Sequence, residues 1–160
     1  MDKNIVVRNA GAKDLNALIA LDKKVWGECN ASDSNHVWRL WIDYGIVYVA
    51  LKNEELIGFL VAFPTTHTGN LFILHKIFVD EKYRRSNIGS EMIKQLISWI
   101  RILVNPGTTK DKKSFSIVLT VDPKNNAAID FYEKLGFDDL FLEKSYYGDG
   151  VDRKIFMKMF

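Results

Sequence analysis

The sequence has one cysteine and three prolines among its 160 residues, and it lacks any long apolar run. Because Cys29 has no second cysteine to pair with, an internal disulfide is excluded and a reducing compartment is favoured. The most apolar stretch, at positions 56–63, is interrupted by Gly58 and is far too short to span a bilayer. Its first residues also lack the apolar segment of a signal peptide, so we expect a cytoplasmic protein without a membrane partner.

The sequence also has little excess charge of either sign. The formal net charge is +2, and its basic residues are interleaved with acidic ones, so we expect no nucleic-acid partner. We assign no metal site. Hydrophobic residues make up 48% and charged residues 26%, the mixture typical of a globular protein. With no repeat and no Pro/Gly/Ser-rich linker, positions 1–160 are expected to form one domain.

Hydrophobic periodicity predicts alternating strands and helices. Strands are predicted at 5–7, 46–51, 56–63, 71–79, 115–121, 137–142 and 154–160, and helices at 13–26, 35–43, about 89–103 and 125–135. Positions 52–55 are predicted to form a hairpin turn. Gly136 is predicted to end the last helix as a C′ residue. The order indicates the α/β class, with a mixed sheet of about seven strands flanked by four helices.

The junction between the strand ending at Val79 and the following helix has the composition of a phosphate-binding turn. It reads Arg84-Arg85-Ser86-Asn87-Ile88-Gly89-Ser90. Unpaired backbone N–H groups and the positive end of the helix dipole favour a phosphate at such a helix start. Gly89 permits close approach of a ligand, and Asn87 tolerates a left-handed backbone. The alternative is a basic surface turn before an ordinary helix.

A second segment, at positions 125–137, predicts a short helix with Asn125 as its N-cap. Tyr132 lies one turn from the end of that helix. Taken alone, this tyrosine is more typical of a core aromatic than of a catalytic group.

Together, the two segments resemble the motifs of the GNAT superfamily of N-acetyltransferases. That family has an Arg/Gln-x-x-Gly-x-Gly/Ala turn after its fourth strand and an Asn-x-x-Ala-x-x-x-Tyr-x-x-x-Gly-Phe helix after its fifth. The chain matches every position of the second motif, and in the first it has Asn87 in place of the usual first glycine. Element order agrees from Ile5 to Phe160. The resemblance implies a single-domain GNAT fold whose sheet splays between strands four and five.

The resemblance further implies an acetyl-CoA-dependent N-acetyltransferase, in which a primary amine attacks the thioester directly within a ternary complex. It places the pyrophosphate at the basic turn and the pantetheine arm against Ile77, Phe78 and Val79, with a hydrogen bond from Asn125. Tyr132 is implied to protonate the departing thiolate. A backbone N–H near Val79 is implied to stabilise the oxyanion.

The acceptor amine is mostly protonated at neutral pH, so a base must remove a proton from it before it attacks. Related protein N-terminal acetyltransferases carry a base at the end of the fifth strand, where this chain has Thr120, which cannot serve. His75 is the favoured replacement, because arylalkylamine acetyltransferases carry a working histidine on this strand. Strand parity would place it on the same face as Ile77 and Val79. A non-catalytic His75 and a water relay stay open.

The acceptor stays open between a protein or peptide N-terminus and a small amine. Tyr146 and Tyr147 resemble the Tyr-Tyr-x-Asp-Gly-x-Asp loop that lines the peptide entrance in protein N-terminal acetyltransferases, a hairpin turn being the alternative. Positions 71–79 instead resemble diaminobutyrate acetyltransferases, which act on a small diamine. Trp26, in an early helix, is a further candidate acceptor contact, although helix packing is the favoured role for it.

Two other interpretations remain. A non-catalytic CoA-binding module on the same fold is one, although Tyr132 argues against it because CoA binding alone needs no proton donor. Cys29 as an acyl-accepting nucleophile is disfavoured, since no base is near it in sequence. The alternating last strand would also suit pairing across a homodimer.

Overall fold

The computed structural model describes residues 4–27, 34–65, 70–107, 113–148 and 150–160. Within them the chain forms a mixed seven-stranded sheet and four α-helices, which confirms the predicted fold class. The elements are β1 (Ile5–Asn9), α1 (Leu15–Trp26), α2 (Ser34–Tyr44), β2 (Ile46–Lys52), β3 (Glu55–Pro64), β4 (Leu71–Val79), α3 (Ile88–Val104), β5 (Ser116–Val121), α4 (Asn126–Lys134), β6 (Asp138–Glu143) and β7 (Arg153–Met159). Cys29 lies outside the described residues. None of the described helices is long and apolar enough to cross a membrane.

The strand order in the sheet is β1-β2-β3-β4-β5-β7-β6. The chain packs as two compact units, the first made of Met1–Phe63 and Lys76–Ile100 and the second of Pro64–His75 and Arg101–Phe160. Strand β4 therefore contributes its last four residues to the first unit and its first five to the second.

The core of the first unit lies between strands β2 and β3 and helices α1 and α2. Alternate residues of the strands, among them Val49 and Phe59, are fully buried against these helices. The Phe59 ring contacts Trp38 edge-on at 5.1 Å and Trp26 at 5.8 Å between ring centroids. The β2–β3 hairpin turns through Asn53 and Glu54, which both have positive φ, as the primed turns of tight hairpins require.

A buried carboxylate joins three elements of the first unit. Asp22 on α1 is 2% exposed and accepts a hydrogen bond from the indole of Trp38 on α2 at 3.1 Å. Its other oxygen accepts from the Lys76 ammonium of β4 at 2.8 Å. The ammonium also lies 4.6 Å from the ring of Trp26 and 5.2 Å from that of Trp41. Both charges are therefore compensated inside the unit, as burial requires.

In the second unit, β5 pairs with β4 on one side and with β7 on the other. The parallel β4–β5 ladder covers three residue pairs, from Leu71–Ser116 to Ile73–Val118, whereas β5 stays paired with β7 as far as Val121. The two parallel strands thus separate after Ile73, which confirms the splay predicted between the fourth and fifth strands.

Removing either partner of the Asp22–Lys76 pair should destabilise the protein strongly. Asp22→Asn keeps an acceptor for Trp38 but leaves the ammonium unpaired, and Lys76→Met leaves a buried carboxylate, so we expect each to cost about 3 kcal/mol. The double variant should cost clearly less than the sum of the two. Chemical denaturation measures all three free energies of unfolding.

The exposed pair Arg39–Asp43 on α2 provides the matched control, since its 2.8 Å contact lies at the surface. Neutralising that pair should cost less than about 1 kcal/mol. Equal costs for the buried and the exposed pair would contradict the prediction.

Candidate functional site

Strand β4 ends in a turn that is stabilised by hydrogen bonds of the backbone and of side chains. The N–H of Asp80 donates to the carbonyl of Ile57 on β3 at 2.8 Å. The Asp80 carboxylate accepts from the N–H of Lys82 at 3.0 Å, which starts a 3-10 turn over Glu81–Tyr83. The Ser86 hydroxyl then donates to the carbonyl of Tyr83 at 2.6 Å. These bonds fix the path of the chain from the strand into α3.

Two residues of this turn adopt the left-handed backbone conformation. Arg85 has a φ of 63° and Asn87 a φ of 64°. Few residues other than glycine accept this region, and asparagine is among those that do. Asn87 therefore adopts the left-handed conformation that the sequence analysis expects it to tolerate.

Helix α3 begins with three unpaired donors. The first helical hydrogen bond at its start joins the N–H of Glu91 to the carbonyl of Asn87 at 2.9 Å. Among the described residues, no acceptor pairs with the preceding N–H groups of Ile88, Gly89 and Ser90. The Ile88 side chain is 1% exposed and anchors the helix start in the core.

Positive charge surrounds these donors. Arg84 is exposed, and its Nε donates to the carbonyl of Val79 at 3.1 Å, which leaves the other guanidinium N–H groups available. Arg85 is exposed as well. Free main-chain donors, a helix dipole and two guanidinium groups form a donor set that fits the oxygens of a phosphate or diphosphate.

In the second unit, helix α4 is fixed at both ends. The Asn125 side chain caps it by accepting from the N–H of Ala128 at 3.1 Å. At the other end Gly136 has a φ of 76° and donates to the carbonyl of Glu133, while Phe137 donates to that of Tyr132 at 3.0 Å. The predicted N-cap and the predicted terminating glycine are both confirmed.

This helix carries Tyr132 into the core of the second unit. The tyrosine is 6% exposed, and its ring contacts Phe137 at 5.7 Å and Phe156 of β7 at 6.3 Å between centroids. Three other apolar residues of α4 and its C-terminal end, Ala128, Phe131 and Leu135, are only half-buried. Tyr132 is therefore the side chain that α4 buries most deeply, so the ring has a packing role whatever the hydroxyl does.

The Tyr132 hydroxyl is available although the ring is buried. None of the described residues hydrogen bonds to it, and within the same residues no fully buried polar side-chain atom lacks a partner, so the oxygen keeps some contact with solvent. Burial raises the pKa of Tyr132 well above that of a free phenol. The phenol therefore carries its proton at neutral pH, as a proton donor must.

An open cavity of about 390 Å³ lies within the second unit. Four strands and the loop after β6 line it. The apolar part of its wall comes from Ile73, Val118, Leu119, Phe141 and Ile155. The polar part comes from Thr120, Glu143, Ser145 and Tyr146. This volume suits a small molecule or a single side chain.

The two tyrosines after β6 lie in a structured turn. Their rings contact each other edge-on at 4.7 Å, and the guanidinium of Arg153 lies 5.2 Å from the Tyr147 ring. The N–H of Ser145 donates to the Asp152 carboxylate at 3.0 Å, which closes the turn. Of the two tyrosines, only Tyr146 lines the cavity.

Comparisons with known proteins agree with these motifs. The sequence profile of the acetyltransferase (GNAT) family matches residues 15–137. The chain belongs to this family.

Several relatives align with this GNAT protein over nearly its whole length. It is 24% identical to an N-alpha-acetyltransferase of Sulfurisphaera tokodaii, over 94% of this chain and 90% of the relative. Its fold is similar to that of Ard1 from Thermoplasma volcanium, with a TM-score of 0.75, 20% identity and 98% and 97% of the two chains covered. An aminoglycoside 6'-N-acetyltransferase complexed with coenzyme A gives a TM-score of 0.75 at 18% identity, with 96% of each chain covered. At these identities, the two structural likenesses show the fold alone.

The GNAT motifs are divided between the two units, the basic turn in the first and residues 125–137 in the second. On β4, Ile77, Phe78 and Val79 are half-buried in the first unit, and His75 is exposed in the second. Trp26 packs on Phe78 at 6.0 Å and lies beside the Lys76 ammonium, an arrangement that favours helix packing over an acceptor contact.

The sequence analysis did not identify two charged residues whose positions the structure shows, Lys76 and Glu143. Lys76 is a single lysine inside an apolar strand, and its partner Asp22 lies 54 positions away. Glu143 is one of several acids around β6, and its position on the cavity wall depends on how four strands assemble. A lysine interrupting an otherwise apolar strand was the only available hint of a buried ion pair.

Proposed function

We propose that the chain is an acetyl-CoA-dependent N-acetyltransferase that moves the acetyl group to a primary amine. The observation that carries this proposal is the start of α3, where three free N–H groups and two arginines follow a turn with left-handed Arg85 and Asn87. Such a donor set suits the pyrophosphate of CoA. Membership of the GNAT family supplies the reaction class.

Several residues are proposed to hold the co-substrate. The turn from Arg84 to Ser90 binds the pyrophosphate, chiefly through main-chain N–H groups. The backbone of Ile77, Phe78 and Val79 pairs with the pantetheine arm. Asn125 uses its side-chain oxygen as the helix cap, so its amide nitrogen is the atom left to donate to that arm.

The proposed reaction is direct transfer. The amine nitrogen forms a bond to the acetyl carbonyl carbon, and the bond from that carbon to sulfur breaks. Tyr132 gives its phenolic proton to the departing thiolate, and the backbone N–H near Val79 stabilises the negative carbonyl oxygen. His75 takes the proton that the amine must lose, directly or through water. No covalent acyl-enzyme is needed.

The acceptor is proposed to be either a protein N-terminus or a small amine. The name of the Sulfurisphaera tokodaii relative supports an α-amine, and Tyr146 on the cavity wall supports a peptide contact. The aminoglycoside acetyltransferase with the similar fold acts on a small amine by its name. Thiol release from acetyl-CoA with amines and with N-terminal peptides tests the activity and separates the two.

Gly89→Glu should weaken acetyl-CoA binding at least tenfold, because a side chain and a negative charge would meet the phosphates at the helix start. Calorimetry measures the affinity. Ser98→Glu is the matched control, since it adds the same charge at an exposed position further along α3 and should leave affinity unchanged. Unaltered binding in a folded Gly89→Glu protein would rule out this turn as the pyrophosphate site.

Tyr132→Phe should lower kcat by roughly 100-fold while acetyl-CoA affinity is nearly preserved, because the ring still packs on Phe137 and Phe156 but the proton is lost. Steady-state kinetics and calorimetry together separate the two effects. Parallel loss of rate and binding would indicate a structural tyrosine, and full activity would assign the proton to another donor.

His75→Ala should change the pH dependence of kcat/KM. If the imidazole takes the amine proton, the parent enzyme should show an acid limb in the range where imidazoles titrate, between about pH 5 and 8. The variant should lose that limb and should approach the parent rate at high pH, where the acceptor is already deprotonated. An unchanged profile at normal stability would show that the proton leaves by another route.

A further inference from the structure

One of the described side chains that line the cavity of the second unit is charged. Of the nine described residues that line it, eight are apolar or neutral, and Glu143, at the end of β6, is the exception. Among the described residues, no basic side chain lines the cavity. A ligand that enters it therefore meets apolar and neutral polar groups and a single carboxylate.

Glu143 has no cation within the described part of the chain to neutralise it. Strand register places it opposite Arg153 of β7. The guanidinium of Arg153, however, donates to the carbonyl of Asp152 at 2.9 Å and lies 3.9 Å from the Asp122 carboxylate and over the Tyr147 ring. The other nearby cation of β7, Lys154, is hydrogen-bonded to Asp139 instead. The carboxylate of Glu143 is thus free to bind a cation brought by a ligand.

We infer that this cavity binds the acceptor and that Glu143 selects acceptors carrying a second positive charge besides the reacting amine. The inference rests on the proposed function and specifies its substrate class. The reacting amine must be neutral to attack, whereas a nearby carboxylate stabilises the charged ammonium. Glu143 therefore assists an acceptor best by holding a different cationic group.

The rest of the wall suits the chain that joins the two amines. Ile73, Val118 and Ile155 offer aliphatic surface to methylene groups, and the ring of Phe141 adds to it. The matching chemistry is an ammonium or guanidinium on an aliphatic stem. A free diamine has it, and so does a peptide with lysine beside its N-terminal residue.

The test compares matched acceptors with and without the second charge. The pairs are 1,4-diaminobutane against butylamine, and two peptides that differ only by lysine or norleucine at the second position. For the parent enzyme, kcat/KM should be higher for the charged member of at least one pair. In Glu143→Gln the ratio of kcat/KM for the charged acceptor to that for the uncharged one should fall roughly fivefold, the effect expected of an ion pair near the surface. A response of the diamine pair would identify a small amine as the acceptor, and a response of the peptide pair would identify a peptide N-terminus.

Asp138→Asn is the matched control, because Asp138 is exposed on the same strand and does not line the cavity. In Asp138→Asn the ratio of kcat/KM for charged over uncharged acceptors should equal that of the parent enzyme. An unchanged ratio in Glu143→Gln, with activity intact, would overturn this inference and leave the proposed function standing. A uniform loss with charged and uncharged acceptors would also overturn it, because it would assign Glu143 to proton transfer. If no amine is acetylated by the parent enzyme, both proposals fail.

Discussion

In the first unit, a buried carboxylate and the partners that compensate its charge hold three elements together. Asp22 is almost completely buried, and a carboxylate there is tolerated only because Lys76 and the indole of Trp38 bind its two oxygens. These contacts fix α1, α2 and β4 in one arrangement, because a shift of any of them would leave a buried charge or donor unpaired. The network thus adds directional contacts to the apolar packing of the helices.

The same strand then leads into the turn before α3, where backbone geometry creates the donor set of the proposed pyrophosphate site. Two left-handed residues, Arg85 and Asn87, turn the chain so that the helix begins with unpaired N–H groups. Asn87 adopts the left-handed backbone that this turn needs, which asparagine tolerates better than most residues. In the second unit, the buried ring and accessible hydroxyl of Tyr132 likewise follow from a helix fixed by Asn125 and Gly136.

Features encoded within a few residues were predictable from sequence. The cap at Asn125, the terminating glycine at Gly136 and the left-handed conformation of Asn87 all depend on local backbone preferences. The ion pair of Asp22 with Lys76 was missed because 54 residues separate its members and neither helix nor strand periodicity indicates a partner. The position of Glu143 on a cavity wall was missed for the same reason, since it depends on strand order. Local chemistry is readable in sequence, whereas long-range pairing of charges is not.

The distribution of aromatic residues has an optical consequence. All four tryptophans, Trp26, Trp38, Trp41 and Trp99, belong to the first unit, whereas the aromatic residues of the second unit are tyrosines and phenylalanines. Two of these indoles lie within about 5 Å of the Lys76 ammonium. Fluorescence excited at the red edge of protein absorption therefore reports on the first unit and on its buried charge, while tyrosine emission reports on both units.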